Sequence, residues 1–227
     1  MAKEQKRDYN FSDAVLKQFA DQLKTSITRD AGDFATRGVN GATITNYQQL
    51  IDDFAATTTD EESMGFISNE ALQKDAAREV LIKAVRKVRG IADVTFKGEG
   101  LYNSFGFEDM LRLDDNDLCR MSARVHRVAT KFKADMAGDG LTEQMLTDLE
   151  TASKDFDEKI DKVVASQEDR DIATQHRIVT GNILFAEIRR LLKIGKALYE
   201  DTDEAKYNDY MLPPDEGGEN KTPPPTT

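Results

Sequence analysis

Apolar side chains recur at helical spacing along most of the chain. After Ser12, a helix-capping residue type, Leu16, Phe19, Leu23 and Ile27 fall three or four positions apart and so share one helical face. The pattern breaks between Gly32 and Gly38. Beyond Asn40-Gly41 a second stripe runs through Tyr47, Leu50, Ile51 and Phe54. A longer helix is predicted from about 60 to 96, with Ile67, Ala71, Leu81, Ala84, Val85, Val88 and Ile91 on its apolar face and Gly65 and Gly90 as points of bending.

The segment FKGEGLYNSFGFEDM, residues 96 to 110, mixes glycines with aromatics and reads as a long structured connection. Helical spacing resumes with Leu118, Met121, Val125, Val128 and Phe132. The acidic run Asp114 to Asp117 suits the N-terminus of that helix, where carboxylates accept unpaired amides and meet the positive end of the dipole. The sequence AGDG stops it. Residues 141 to 166 and 172 to 200 predict two more helices, separate or joined, with Leu184, Ile188, Leu191 and Leu198 facing a core.

These elements predict an all-α multi-helix bundle of about five to seven helices. The predicted organisation is a flexible N-terminus over 1–11, a bundle over 12–201, a docking arm over 202–212 and a disordered proline-rich tail over 213–227. Two similar halves, 12–97 and 114–201 with a connection over 98–113, are suggested by matching features. Asn40-Gly41 and Asp139-Gly140 are each followed two residues on by a threonine, Thr43 and Thr142. Leu16, Phe19 and Leu23 align with Leu118, Met121 and Val125, while Leu50 meets Leu149 only after a shift of three. Amphipathic helices sharing one period would also align this well.

Composition supports helices and narrows the chemistry. All five prolines lie at or beyond position 213, so nothing interrupts a helix before that point. The formal net charge of -11 argues against nucleic acid and anionic membranes as partners. There is no secretory h-region or long apolar run, and Cys119 is the one cysteine, which fits a soluble protein of the reducing cytoplasm.

Metal, cofactor and catalytic motifs are not found. A calcium loop beginning at Asp201 has Ala205, Lys206 and Leu212 where a ligand, a turn glycine and a bidentate glutamate are needed. Neither His126 nor His176 follows a glutamate at the di-iron spacing, and phosphate-loop, nucleophile-elbow and zinc-helix motifs are absent. No metal, no cofactor and no enzymatic activity are therefore expected. Cys119, beside Arg120 near a helix start, could carry a lowered thiol pKa, although an inert role is the simpler expectation.

Three features stand out as candidate contact sites. Arg120, Arg124, Arg127 and Lys131 form a basic row, answered by Glu143, Glu150 and Asp157 on the next helix; the favoured reading is an interhelical charge ladder, with a phosphate-binding groove as the other. Glu187 shares a face with Leu184, Ile188 and Leu191, and Arg190 is placed to pair with it. Tyr207, Tyr210, Met211 and Leu212 crowd together just before Pro213 and predict an extended arm docked into a groove. The expected function is a non-enzymatic structural or interaction protein, self-associating or engaging a protein partner. The alternative is a small-molecule-binding or catalytic bundle using Glu187, His126 and nearby arginines.

Overall fold

The structure, a computed structural model, describes residues 5–107 and 109–213. It is all-α, and no strand occurs among the described residues. In chain order the elements are α1 (Asp13–Arg29), α2 (Ala31–Ala35), α3 (Gly41–Ala55), α4 (Asp60–Thr95), a 3-10 helix (Gly100–Ser104), α5 (Asp115–Lys131), α6 (Lys133–Ala137), α7 (Glu143–Tyr199) and α8 (Glu204–Asp209). The five long helices are those marked by apolar periodicity. The one-turn helices α2, α6 and α8 are too short to leave such a stripe. The two helices predicted over 141–166 and 172–200 are one, the 57-residue α7.

Capping fixes the starts. Ser12 Oγ accepts from the Val15 amide, Asp114 from the Asp117 amide and Asp203 from the Lys206 amide. Asn40 and Thr43 form a reciprocal capping box before α3, and Thr142 Oγ1 accepts from the Met145 amide at the start of α7. The turn before each of these two caps contains a glycine at positive φ, Gly38 at 79° and Gly140 at 105°. In both turns an amide bonds back across the glycine, Val39 to the Phe34 carbonyl and Leu141 to the Met136 carbonyl, at 3.1 Å each.

These features repeat at one constant spacing of 102 residues, from Ser12 to Asp114, Gly38 to Gly140 and Asn40 to Thr142. The shift of three inferred from Leu50 and Leu149 is therefore corrected, because buried Leu149 stands at the position of buried Tyr47. Helix α4 matches the C-terminal part of α7 at a spacing of 103, from Leu81 to Leu184 and Val88 to Leu191. A short motif closes each repeat. Tyr102-Asn103-Ser104-Phe105 ends the first and Tyr207-Asn208-Asp209-Tyr210 the second, with Phe105 and Tyr210 both fully buried.

The compact units do not coincide with the halves 12–97 and 114–201. One unit joins Met1–Asp60 to Asp171–Thr227, and the other is Glu61–Arg170. In the first unit, Leu16, Leu23 and Ile27 of α1 and Tyr47 and Ile51 of α3 pack with Leu184, Ile188 and Leu191 of α7. In the second, Leu118, Met121 and Val125 of α5 and Leu149 and Phe156 of α7 pack with Leu81, Val85 and Val88 of α4. Each unit thus takes its fourth helix from the other repeat. Each large side chain buried there contributes about 1.5–3 kcal/mol of transfer free energy before ordering entropy is subtracted.

The end segments are also corrected. Over its described part the N-terminal segment 1–11 is docked, with Tyr9 and Phe11 buried against Phe185. Asn182 clamps its backbone, accepting from the Asp8 amide at 2.9 Å and donating to the Lys6 carbonyl at 2.8 Å. A charge cluster holds the same end: Asp13 accepts from the Tyr9 hydroxyl at 2.7 Å and pairs with Arg7 and buried Arg177, which also pairs with Asp60 at 2.8 Å. The 98–113 connection is anchored by Arg78, which donates to the Met110 and Leu113 carbonyls and pairs with Asp115. The tail lies outside the described residues beyond Pro213.

Gly195 provides a test of the packing around Tyr210. A Cβ at Gly195 would collide with the Tyr210 ring, whereas one at Gly65 on α4 meets nothing within 4 Å. Gly195→Ala is expected to lower the unfolding free energy by about 1–3 kcal/mol, and Gly65→Ala to raise it by up to about 1 kcal/mol through helix propensity. Denaturant unfolding of both variants checks this, and the same change in each would contradict the packing.

Candidate functional site: an arginine cleft and a two-walled groove

Helix α5 carries its basic row beside the buried stripe of Leu118, Met121 and Val125. Arg120, Arg124 and Arg127, with Leu113, Asp117 and Met121, line a cleft of about 430 Å³ in the Glu61–Arg170 unit. Arg124 is half-buried and structurally engaged. Its Nε donates to the Phe105 carbonyl at 3.1 Å and its Nη2 to the Gly106 carbonyl at 2.9 Å. Gly106 sits at φ 59°, a conformation that strains any side chain, and a Cβ there would also displace the guanidinium. Arg120, Arg127 and Lys131 are exposed, and Lys131 lies over the Phe132 ring.

The predicted charge ladder is not what the helices form. Glu143 pairs with Lys133 and Glu150 with Lys154, and among the described residues no ion pair joins the arginine row to Glu143, Glu150 or Asp157. The reason is register. Lys133 follows the turn into α6, and Lys154 sits four residues beyond Glu150 on the same helix, so both acids meet nearer cations.

A second surface feature lies between α4 and α7 in the same unit. It is a groove of about 580 Å³ floored by Val80, Ala84 and Met145. Lys83 and Lys87 line its α4 wall, and Asp148 and Asp155 its α7 wall. Val80 is 56% exposed, and Ile183, at the matching position of the other repeat, is 51% exposed. Glu187, by contrast, is bound to Arg190 by two hydrogen bonds of 2.8 and 2.6 Å, as its spacing suggested. The position matching Glu187 is Ala84, and among the described residues Lys87 makes no ion pair.

Tyr207, Tyr210, Met211 and Leu212 do not stay together. They do not form an extended arm. Asp203 caps the one-turn helix α8, Tyr210 is fully buried, Tyr207 is half-buried, and Met211 and Leu212 are each 43% exposed. The Tyr210 ring stacks on Tyr199 and packs on Phe34, while its hydroxyl donates to Asp30 at 2.8 Å. Asp30 has a side-chain exposure of 2% and also receives Arg29 at 2.6 Å and Lys206 at 2.9 Å. Sequence reasoning missed Asp30 because it follows Arg29 as an ordinary polar residue at a helix end. The repeated Tyr-Asn-x-aromatic motif was the available signal, since its last residue fills a core position in both repeats.

Asp30 and Cys119 are shifted from their ordinary states in ways that bear on these sites. Hydrogen bonding from Arg29, aided by Lys206 and Tyr210, holds the Asp30 carboxyl well below the usual range against the opposing effect of burial. Burial, with Asp157 and Asp115 nearby, pushes the Cys119 thiol up to about 11, which reverses the lowered value its neighbour Arg120 suggested. His126 is half-exposed on α5, and the Glu150 carboxyl lies below its usual range chiefly because Lys154 hydrogen-bonds to it, with His126 a lesser influence. Among the described residues no group of three or more His, Cys, Asp or Glu is placed to hold a metal ion, and no helix is long and apolar enough to cross a membrane. Comparison with family models, with curated proteins and with solved structures gave no match.

The Asp30 cluster predicts a pH dependence. Its folded pKa lies below the unfolded value of about 3.9, so its contribution is complete above that pH and is lost as pH falls through the folded value. Asp30→Asn is expected to cost about 2–3 kcal/mol at pH 7, less than for a fully buried pair because Arg29 is half-exposed, and to flatten the acid limb of the stability curve below about pH 4. Urea unfolding across pH checks both. Cys119 in the native protein should react with iodoacetamide at pH 7.5 roughly tenfold or more slowly than in the unfolded chain, read by mass spectrometry.

Proposed function

We propose that this chain is a non-enzymatic structural protein that self-associates through the α4–α7 groove of the Glu61–Arg170 unit. The observation that carries the reading is the opposite charge of the groove's two walls around exposed Val80. Such a surface is self-complementary. A twofold axis running along the groove sets the Lys83 and Lys87 wall of one copy against the Asp148 and Asp155 wall of the other and closes Val80 and Met145 between them. The internal charge clusters supply the rest of the support. Buried Asp30 and Arg177, with partly buried Asp13, tie chain segments together, and the Glu187 carboxylate is occupied by Arg190.

Sedimentation at rising concentration tests the reading. The full chain should dimerise, and Lys83→Glu with Lys87→Glu should abolish this by placing like charges face to face. A second variant, Asp148→Lys with Asp155→Lys, should also be monomeric alone. Mixed in equal amounts the two should form a one-to-one dimer that weakens with salt. A monomer at all concentrations, or two variants that still self-associate, would show that the groove is not the contact.

A further inference from the structure

The duplicated architecture makes one half of the chain a control for the other. Helix α1 and helix α5 have the same length, the same capping position and the same buried face. At the 102-residue spacing, the counterparts of Arg120, Arg124 and Arg127 on α1 are Gln18, Gln22 and Thr25. A fold that is built with neutral side chains at these positions does not require arginines there. Arg124 has a structural use, since it fixes the Phe105 and Gly106 carbonyls. Arg120 and Arg127 have none of that kind: both are exposed, and among the described residues neither makes an ion pair.

The placement of these two side chains favours convergence. They stand seven residues apart, two turns of one helix face and roughly 10 Å along the axis, a span two arginine side chains can close from both ends. Arg124 lies between them, and all three line the 430 Å³ cleft. The chain as a whole is strongly acidic, so a local excess of positive charge stands against the prevailing field. The cleft is larger than a bare oxyanion needs. Leu113 and Ala123 supply apolar surface for a ligand body, and the Asp117 carboxylate at the same cleft repels an anion but accepts from a hydroxyl.

We propose that this cleft binds a phosphate monoester carried on a small hydroxylated body, such as a sugar phosphate. Arg120 and Arg127 contact the phosphate, and Asp117 receives a hydroxyl of the body. A phosphate monoester is preferred to a carboxylate for two physical reasons. Its second ionisation gives it nearly twice the charge at neutral pH, and its three terminal oxygens accommodate donors arriving from two directions, where a carboxylate offers two oxygens in one plane. The site is separate from the α4–α7 groove and does not depend on self-association.

Isothermal titration of the full chain with ribose 5-phosphate, ribose and acetate tests the assignment. Ribose 5-phosphate should bind with one-to-one stoichiometry and an affinity that falls with added salt, and ribose and acetate should each bind at least tenfold more weakly. The variant Arg120→Gln with Arg127→Thr places the α1 side-chain types at these positions and so preserves the helix. It should lose tenfold or more in affinity with its unfolding midpoint unchanged. Lys162→Gln with Arg170→Gln, which removes the same charge from exposed positions outside the cleft, should bind as the parent does. No saturable binding of ribose 5-phosphate, equal binding of acetate, or equal loss in the two variants would overturn the proposal.

Discussion

The structure depends on the burial of one apolar helix face in each unit by a helix that the chain brings from elsewhere. Helices α1 to α3 expose Leu16, Leu23, Tyr47 and Ile51 toward a missing fourth element, and the C-terminal part of α7 fills it with Leu184, Ile188 and Leu191. Helix α4, which follows α3 directly in sequence, instead closes the core of α5 and the N-terminal part of α7. The exchange makes each unit's stability conditional on the other repeat's sequence. It is the intrachain form of an element swap, in which equivalent contacts are satisfied by an equivalent helix from a different place in the chain.

The repeats share their frame and differ in what they place at its closing end. Helix α5 ends at Phe132, which meets Phe96 edge-on, and Phe96 in turn lies against Phe105. The matching positions are Asp30, Tyr199 and Tyr210, where an aromatic stack is combined with a buried carboxylate. An apolar cluster tolerates small errors of orientation. A buried carboxylate does not, since each lost partner leaves a desolvated charge. The polar version therefore fixes α8 and the end of α7 in one geometry, through Arg29, Lys206 and Tyr210 acting on one side chain. The Tyr199 hydroxyl extends the network to Asp33 at 2.7 Å, and burial together with that bond pushes its pKa up to about 12.

A second polar cluster does the same for the opposite end of the chain. Arg177, 5% exposed, is held by Asp13 and Asp60 and donates to the Thr58 carbonyl, so it joins the start of α1, the end of the α3–α4 connection and α7. Its counterpart in the other unit is Lys74, which pairs with Asp115 at 2.6 Å. Both repeats thus place an acid at the first position of their first helix, Asp13 and Asp115, and each acid is met by a cation on the fourth helix of the other repeat. With the buried charges committed to these joints, the groups left for outside contacts are surface ones, in the α4–α7 groove and the α5 cleft.

The sequence by itself determined the helices. A 3.6-residue apolar period, capping residues at Ser12, Asn40 and Asp114, and the confinement of proline to the tail are local properties that the backbone obeys without long-range help. It also determined the Glu187–Arg190 pair, which one helix completes alone. Only the tertiary structure decided which helix closes which core, because α4 and the end of α7 carry the same apolar stripe and either fits a given face by period alone. It also decided that Tyr9 and Tyr210 are buried while Met211 and Leu212 stay exposed, and that the α5 arginines are separate from the acidic row of α7. Those outcomes depend on distances between residues far apart in sequence, such as the 180 positions from Asp30 to Tyr210, and a one-dimensional pattern carries no such distances.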